Sequence, residues 1–277
     1  MLAAFFVAVI LIYFQIRELK TPDEDSPIPF DEEDYSDYVQ ISYMPSDATL
    51  HEFLFGNFAF YHLLNPQEKA RFRTRLVRII KTKWFVGREG LQVTDSKILL
   101  IGATMAQLTM GIERFYFPRF DRIVLFPNQF YSRLFEQDIK GLTVYHNGIV
   151  ILSWPHYEDG YSDATDKLNL GLHEMAHALY LDYFGHRRML YGFDDWTLVA
   201  MPVFEEMQRN EHHPFLRDYA RSNMHEFWAV CVEHFFEAPI EFRQKLPELY
   251  KAMCQILKQD QARRLEAFAE TRSKQAS

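Results

Sequence analysis

The chain has 277 residues, 48% of them hydrophobic and 16% aromatic, a composition that buries a sizeable core in one large domain and excludes a disordered chain. Its formal charge of −8 is local, because Asp23, Glu24, Asp25, Asp31, Glu32, Glu33, Asp34 and Asp37 supply all of it and residues 21–45 contain no Lys or Arg. The remainder is near neutral and has no basic footprint, so nucleic acid is not an expected partner.

Residues 2–14 form an uncharged apolar run with Arg17 and Lys20 on its C-terminal flank. The run is shorter than the ~20 residues that comfortably span a bilayer. It lacks the basic start and small-residue cleavage site of a signal peptide, and its flanking charge favours an anchor with the main domain on the cytoplasmic side. The expectation is a hydrophobic membrane anchor over residues 1–20, an acidic, proline-bearing linker over 21–45, and a single domain over 46–277 on the cytoplasmic face of the inner membrane.

Helical periods begin near residue 46. Leu54, Phe58, Tyr61 and Leu64 predict one amphipathic helix, and Pro66 opens a second through Phe72, Leu76, Ile79 and Ile80. The apolar stretch 95–110 predicts a buried helix. Arg122–Phe126 has strand character, and the segments 143–145 and 149–154 flank Asn147-Gly148, a strong hairpin signal. Residues 149–154 are the expected sheet edge beside the helix that follows, where an extended peptide could pair.

The next segment carries the chemistry. His173-Glu174-Met175-Ala176-His177 reads H-E-x-x-H, inside a run where Leu168, Leu172, Met175, Leu179 and Tyr183 recur at helical spacing. Ser162, Asp163, Thr165 and Asp166 are candidate N-caps, Gly185 is a candidate stop, and His186, Arg187 and Arg188 follow where positive charge suits the helix dipole. Residues four apart on a helix share a face, so both imidazoles can reach one Zn2+ ion while Glu174, rotated by about 100°, can reach a water beside it. A carboxylate outside the coordination sphere can then take that water's proton.

A catalytic zinc needs a third protein ligand and one open position. Tyr180 and Tyr183 stand where the extended form of the motif has Gly and His, so the ligand must come from elsewhere. The helical run 225–238 offers Glu226 and Glu233 on roughly one face, and spacing does not choose between them. Glu205 and Glu206 read as a solvated helix face. His225, His234 and the pair His212-His213 read as surface or supporting residues. Cys231 and Cys254, the two cysteines, imply no disulfide framework and point to a reducing compartment, with Cys231 read as a buried free thiol rather than a ligand.

Over residues 54–258 the sequence resembles the Mlc titration factor A family of bacterial zinc peptidases, whose catalytic core is similar to that of the anthrax lethal factor protease. The resemblance rests on Leu64–Glu68, Phe85-Val86-Gly87 with Gly90-Leu91, Ile149–Trp154, Leu172–Leu179, and Glu226–Val230 continuing to Glu233–Phe236. It implies an α+β, zincin-like metallopeptidase, mainly helical with a small sheet next to the H-E-x-x-H helix. It implies Glu226 as the third ligand, Glu233 as a supporting residue, and Tyr219, seven residues before Glu226, as a hydrogen-bond donor to the oxyanion. The site expected from residues and resemblance together is Zn2+ held by His173, His177 and Glu226, with Glu174 as general base and then proton donor to the leaving amine. The substrate is a peptide or protein, with aminopeptidase-like action suggested by the family. The alternative is a regulatory binding protein that sequesters a cytoplasmic partner such as a transcriptional repressor. The hydrophobic N-terminus, the acidic spacer and a short region around 143–147 depart from the soluble members of the family.

Overall fold

Helices dominate the computed structural model, which describes residues 36–113, 115–133, 135–162, 166–185, 192–209 and 213–276. The first, α1 (Asp47–Asn57), starts at Ser46, whose hydroxyl accepts from the Thr49 amide. The single helix expected through Leu64 is broken at Phe58, which is extended and separates α1 from α2 (Ala59–His62). Packing explains the break: the extended backbone lets the Phe58 ring bury against Tyr161 at 5.3 Å and Phe72 at 5.9 Å. The next helix, α3 (Pro66–Ile80), opens as predicted on Pro66 behind a reciprocal Asn65–Glu68 capping box, and it buries Phe72, Leu76, Ile79 and Ile80. Helix α4 (Asp95–Thr109) is buried from Ile101 through its end, as its apolar sequence requires.

Four strands form the main sheet: β1 (Trp84–Gly87), β2 (Arg122–Phe126), β5 (Gly141–Val144) and β6 (Ile149–Ser153), in the order β1-β2-β6-β5. The neighbours β1, β2 and β6 are parallel, and β5 pairs antiparallel to β6 through the expected hairpin. At its turn Gly148 takes a φ of +66°, a conformation that favours glycine. A separate ribbon joins β3 (Phe130–Ser132) to β4 (Gln137–Ile139). The expected edge over 149–154 is corrected here. Strand β6 is interior and all five of its residues are buried, which fits a continuous apolar run in a strand covered on both faces. The edge beside it is β5.

Alternation along the strands sorts two cores. Phe85, Ile123, Leu125, Val150 and Leu152 face the large helical core. Val86, Val124, Ile149, Ile151 and Val144 meet Tyr38, Phe126 and Phe130 on the opposite face.

After β6 the chain is helical: α5 (Trp154–Ser162), α6 (Leu170–Gly185), α7 (Phe193–Arg209), α8 (Met224–Glu237), α9 (Pro239–Lys245), α10 (Pro247–Leu257) and α11 (Gln261–Ala276). Helix α6 is the hub, packed against α8, α4, β5 and β6. Its start differs from expectation. Asn169 provides the cap, its side-chain oxygen accepting from the Leu172 amide at 2.9 Å. Ser162 instead closes α5 by donating to the Asp159 carbonyl, Asp166 accepts from Leu168 in the loop, and Leu168 is exposed. Asp163, Thr165, His186, Arg187 and Arg188 lie outside the described residues.

The expectation of a membrane-anchored protein is also corrected. Among the described residues no helix is long and apolar enough to cross a membrane. The run 1–20 on which the anchor rested, and most of the acidic linker, lie outside the described residues, so no membrane placement is retained.

Candidate metal centre

His173 and His177 leave the buried hub helix one turn apart and meet Glu226 from the first turn of α8. The His173 Nε2 atom lies 2.9 Å from Glu226 Oε2 and 3.1 Å from His177 Nε2, and His177 Nε2 lies 3.4 Å from the same carboxylate oxygen. Among the described residues this is the group of His, Cys, Asp and Glu side chains that converges closely enough to hold an ion. A tetrahedral ion with bonds of about 2.0–2.1 Å separates its ligands by about 3.3–3.4 Å, so the cluster needs to open by only a few tenths of an ångström.

The donor set itself calls for a cation. His173 Nδ1 faces Glu233 Oε1 at 2.6 Å and donates its proton there. When the ring is neutral, the His173 Nε2 lone pair is aimed at a carboxylate oxygen and at a second imidazole. With both imidazoles in the tautomer that bares Nε2, three lone pairs converge and a metal ion among them satisfies all three, whereas without it a proton on either ring bridges to Glu226. The electrostatics agree. Burial opposes a charged imidazole at His173, yet hydrogen bonds to Glu226 and Glu233 push its pKa up to about 10. Burial likewise opposes ionised Glu226, but the two imidazoles hold its carboxyl well below the usual carboxylate range.

Glu174 sits on the same helix beside His173 and is 5% exposed. Burial raises its pKa, partly offset by His177 and His173 and by a hydrogen bond from Thr143. The Thr143 hydroxyl on β5 lies 2.8 Å from Glu174 Oε2. Tyr219, in the short 3-10 turn Asp218–Arg221, places its ring centroid 6.0 Å from that of His173 and is 53% exposed. Burial of its hydroxyl and the charge of Glu226 push its pKa up to about 12, so the phenol keeps its proton.

Glu233, the rival for third ligand, touches the other nitrogen of His173. Its carboxylate also accepts from the Arg217 guanidinium and from the Asn169 amide at 2.9 Å. Glu205 and Glu206 are exposed on α7 and do not belong to the converging group. His234 is buried rather than superficial, its ring engaged by the carbonyls of Val230 and Phe215. His213 accepts from the amides of Phe215 and Leu216, and His212 lies outside the described residues. His225 packs at 4.3 Å on Tyr180 and at 6.3 Å from His177, and burial pushes its pKa down to about 3, keeping it neutral. Cys231 is a fully buried free thiol whose pKa burial raises, and it does not join the cluster.

Sequence reasoning missed Thr143, Gly141, Asn169 and Arg217. Asn169 carried a usable signal, a capping residue four positions before His173. The two strand residues gave only their period-2 spacing, which names a shared face without saying what faces it.

The sequence profile of the glucose-regulated metallo-peptidase M90 family matches residues 34–258. An uncharacterised protein of Synechocystis is 25% identical over 216 residues, covering 70% of this chain and 78% of that protein. Mlc titration factor A of Yersinia pestis is 24% identical over 231 residues, covering 74% of this chain and 83% of that protein, and the same figures hold for Mlc titration factor A of Yersinia pseudotuberculosis.

Proposed function

Because the chain belongs to the glucose-regulated metallo-peptidase M90 family, we propose that it is a zinc-dependent peptidase of zincin-like architecture. In this reading His173, His177 and Glu226 hold the ion. The observation that carries it is the convergence of two imidazole Nε2 atoms and one carboxylate oxygen within 3.4 Å. Two nitrogens and one oxygen suit zinc and leave a fourth position open. Bound there, zinc would supply Lewis acidity able to polarise a peptide carbonyl and acidify a water.

The protein's own groups do the rest. Glu174, held in a buried pocket where its affinity for a proton is raised, takes the proton of the attacking water and returns it to the leaving amine. Tyr219, protonated and half exposed over His173, donates a hydrogen bond to the negative charge that develops on the carbonyl oxygen. The edge strand β5 is the strand with which an extended peptide pairs. The substrate class is a peptide or protein, with aminopeptidase-like cleavage as the narrower proposal.

The test is zinc analysis of the purified protein together with cleavage of a peptide library, with and without chelator. Glu174→Gln is expected to keep its zinc and to lower turnover by about 10²–10⁴-fold. Full hydrolysis by a zinc-loaded Glu174→Gln variant removes the mechanism. Glu226→Ala is expected to lose stoichiometric zinc, and tight retention refutes the ligand set. The printed name of the Yersinia relatives, Mlc titration factor A, supports a second reading, a regulator that sequesters a protein such as a transcriptional repressor. Capture of such a repressor that survives chelation, with no library peptide cleaved, favours it.

A further inference from the structure

The carboxylate of Glu174 is gripped from the edge of the sheet. In β5 the alternating residues Gly141 and Thr143 share one face, and that face is turned to α6, whereas Val144 points into the smaller core on the other side. The Thr143 hydroxyl lies 2.8 Å from Glu174 Oε2 and 3.1 Å from the Glu174 carbonyl oxygen. Beside it, Gly141 leaves a bare Cα against the other carboxylate oxygen: a Cβ built at Gly141 comes within 2.4 Å of Glu174 Oε1 and 2.8 Å of its Cδ and Cγ. One oxygen is thus fixed by a hydroxyl, and the other occupies space that any side chain at position 141 would fill.

We propose that Thr143 and Gly141 are positioning residues for hydrolysis: the hydroxyl fixes the rotation of the Glu174 carboxylate, and the missing side chain leaves Oε1 the place from which it takes the proton of water. This inference rests on the zinc-peptidase reading of the same site. A donor to Oε2 stabilises the ionised base and leaves the lone pairs of Oε1 for the proton transfer. Misorienting a proton-transfer group by a fraction of an ångström slows the step while leaving ligand binding intact. Gly141 does not require glycine for its backbone, since only Gly90, Gly148 and Gly192 take positive φ among the described glycines. The groups a Cβ would strike belong to one movable side chain, so Gly141→Ala is expected to fold and to displace the base.

The experiment uses the full chain, zinc-loaded, with a peptide that the wild type cleaves. Thr143→Val is expected to lower kcat about 10- to 100-fold with KM and zinc content unchanged, Thr143→Ser to recover kcat to within about threefold of wild type, and Gly141→Ala to lower kcat with zinc retained. A second readout needs no catalysis. In the metal-free protein, Thr143→Val is expected to lower the urea midpoint of unfolding less in a Glu174→Ala background than in the wild type, as a contact between the two side chains demands. Strictly additive midpoints, or an active wild type whose Thr143→Val variant keeps its kcat, overturn this inference alone. A zinc-loaded wild type that cleaves no peptide overturns the function proposed above and this inference with it.

Discussion

His173 spends both ring nitrogens, and the division of labour between them sets how the cluster meets a metal. Nδ1 gives its proton to Glu233, which is itself held by Arg217 and by the Asn169 amide, so the ring is locked with Nε2 toward Glu226. A carboxylate on the far nitrogen fixes the tautomer and makes the near nitrogen a stronger donor. Glu233→Gln keeps an acceptor of similar shape but removes the charge. It is expected to weaken zinc binding by about 10- to 100-fold in competition with a chromogenic chelator. Unchanged affinity would show that Glu233 serves packing alone. Spacing alone did not draw this distinction; the family resemblance did. Residues 226 and 233 share a helix face, and only the approach of α6 shows that one meets Nε2 and the other Nδ1. The two histidines were legible because their relation is local, four residues on one helix. Tyr219 was legible only through resemblance, being one of 15 tyrosines with no periodic mark.

Helix α8 presents a stripe of three carboxylates to α6: Glu226, Glu233 and Glu237. The last is half-buried, accepts from the Asn169 side-chain amide at 3.0 Å, and has one oxygen with no hydrogen-bond partner among the described residues. Burial pushes its pKa up to about 8 from a usual 4.5. A carboxyl whose folded pKa is raised contributes stability that is fully present below about 4.5 and is lost as pH climbs to about 8, because the folded protein must then ionise it at a cost. Thermal melts of the metal-free Glu237→Gln variant are therefore expected to coincide with the wild type near pH 4.5 and to exceed it at pH 8 to 9. A difference that stays constant with pH rules Glu237 out as the titrating group. On the partner helix, Asn169→Ala removes the cap of α6 and is expected to cost at least about 1–2 kcal/mol in chemical denaturation. A loss below about 0.5 kcal/mol would mean that the helix start is held by other bonds. At this scale the sequence was read well where a signal was local. The Pro66 start, the buried stretch from 95 and the Asn147-Gly148 hairpin all stand in the structure. Strand β1 escaped notice because four residues have no measurable period. Strand β6 was misplaced to the edge because a run buried on both faces has no alternation to orient it.

Across the whole molecule the proposed ligands join two elements that are distant in sequence: His173 and His177 come from α6, and Glu226 comes from α8, which pack against each other. An ion held there exists only in the folded chain, so its binding energy adds to the stability of the fold. At a free concentration a hundred times its dissociation constant, the added stability is about 2.7 kcal/mol. For a chain of this size that corresponds to a rise of roughly 5–10 °C in Tm. The same reasoning says where the rise must vanish. Glu226→Ala removes a ligand from α8 while α6 keeps its two imidazoles, so the melting temperature of that variant is expected to respond weakly to zinc across a titration that shifts the wild type by several degrees. Glu174→Gln, which lies outside the coordination set, is expected to shift like the wild type. If Glu226→Ala and the wild type gain equal stability from zinc, the ion binds at some other place, and the convergence of α6 and α8 on one centre is not what stabilises the loaded protein.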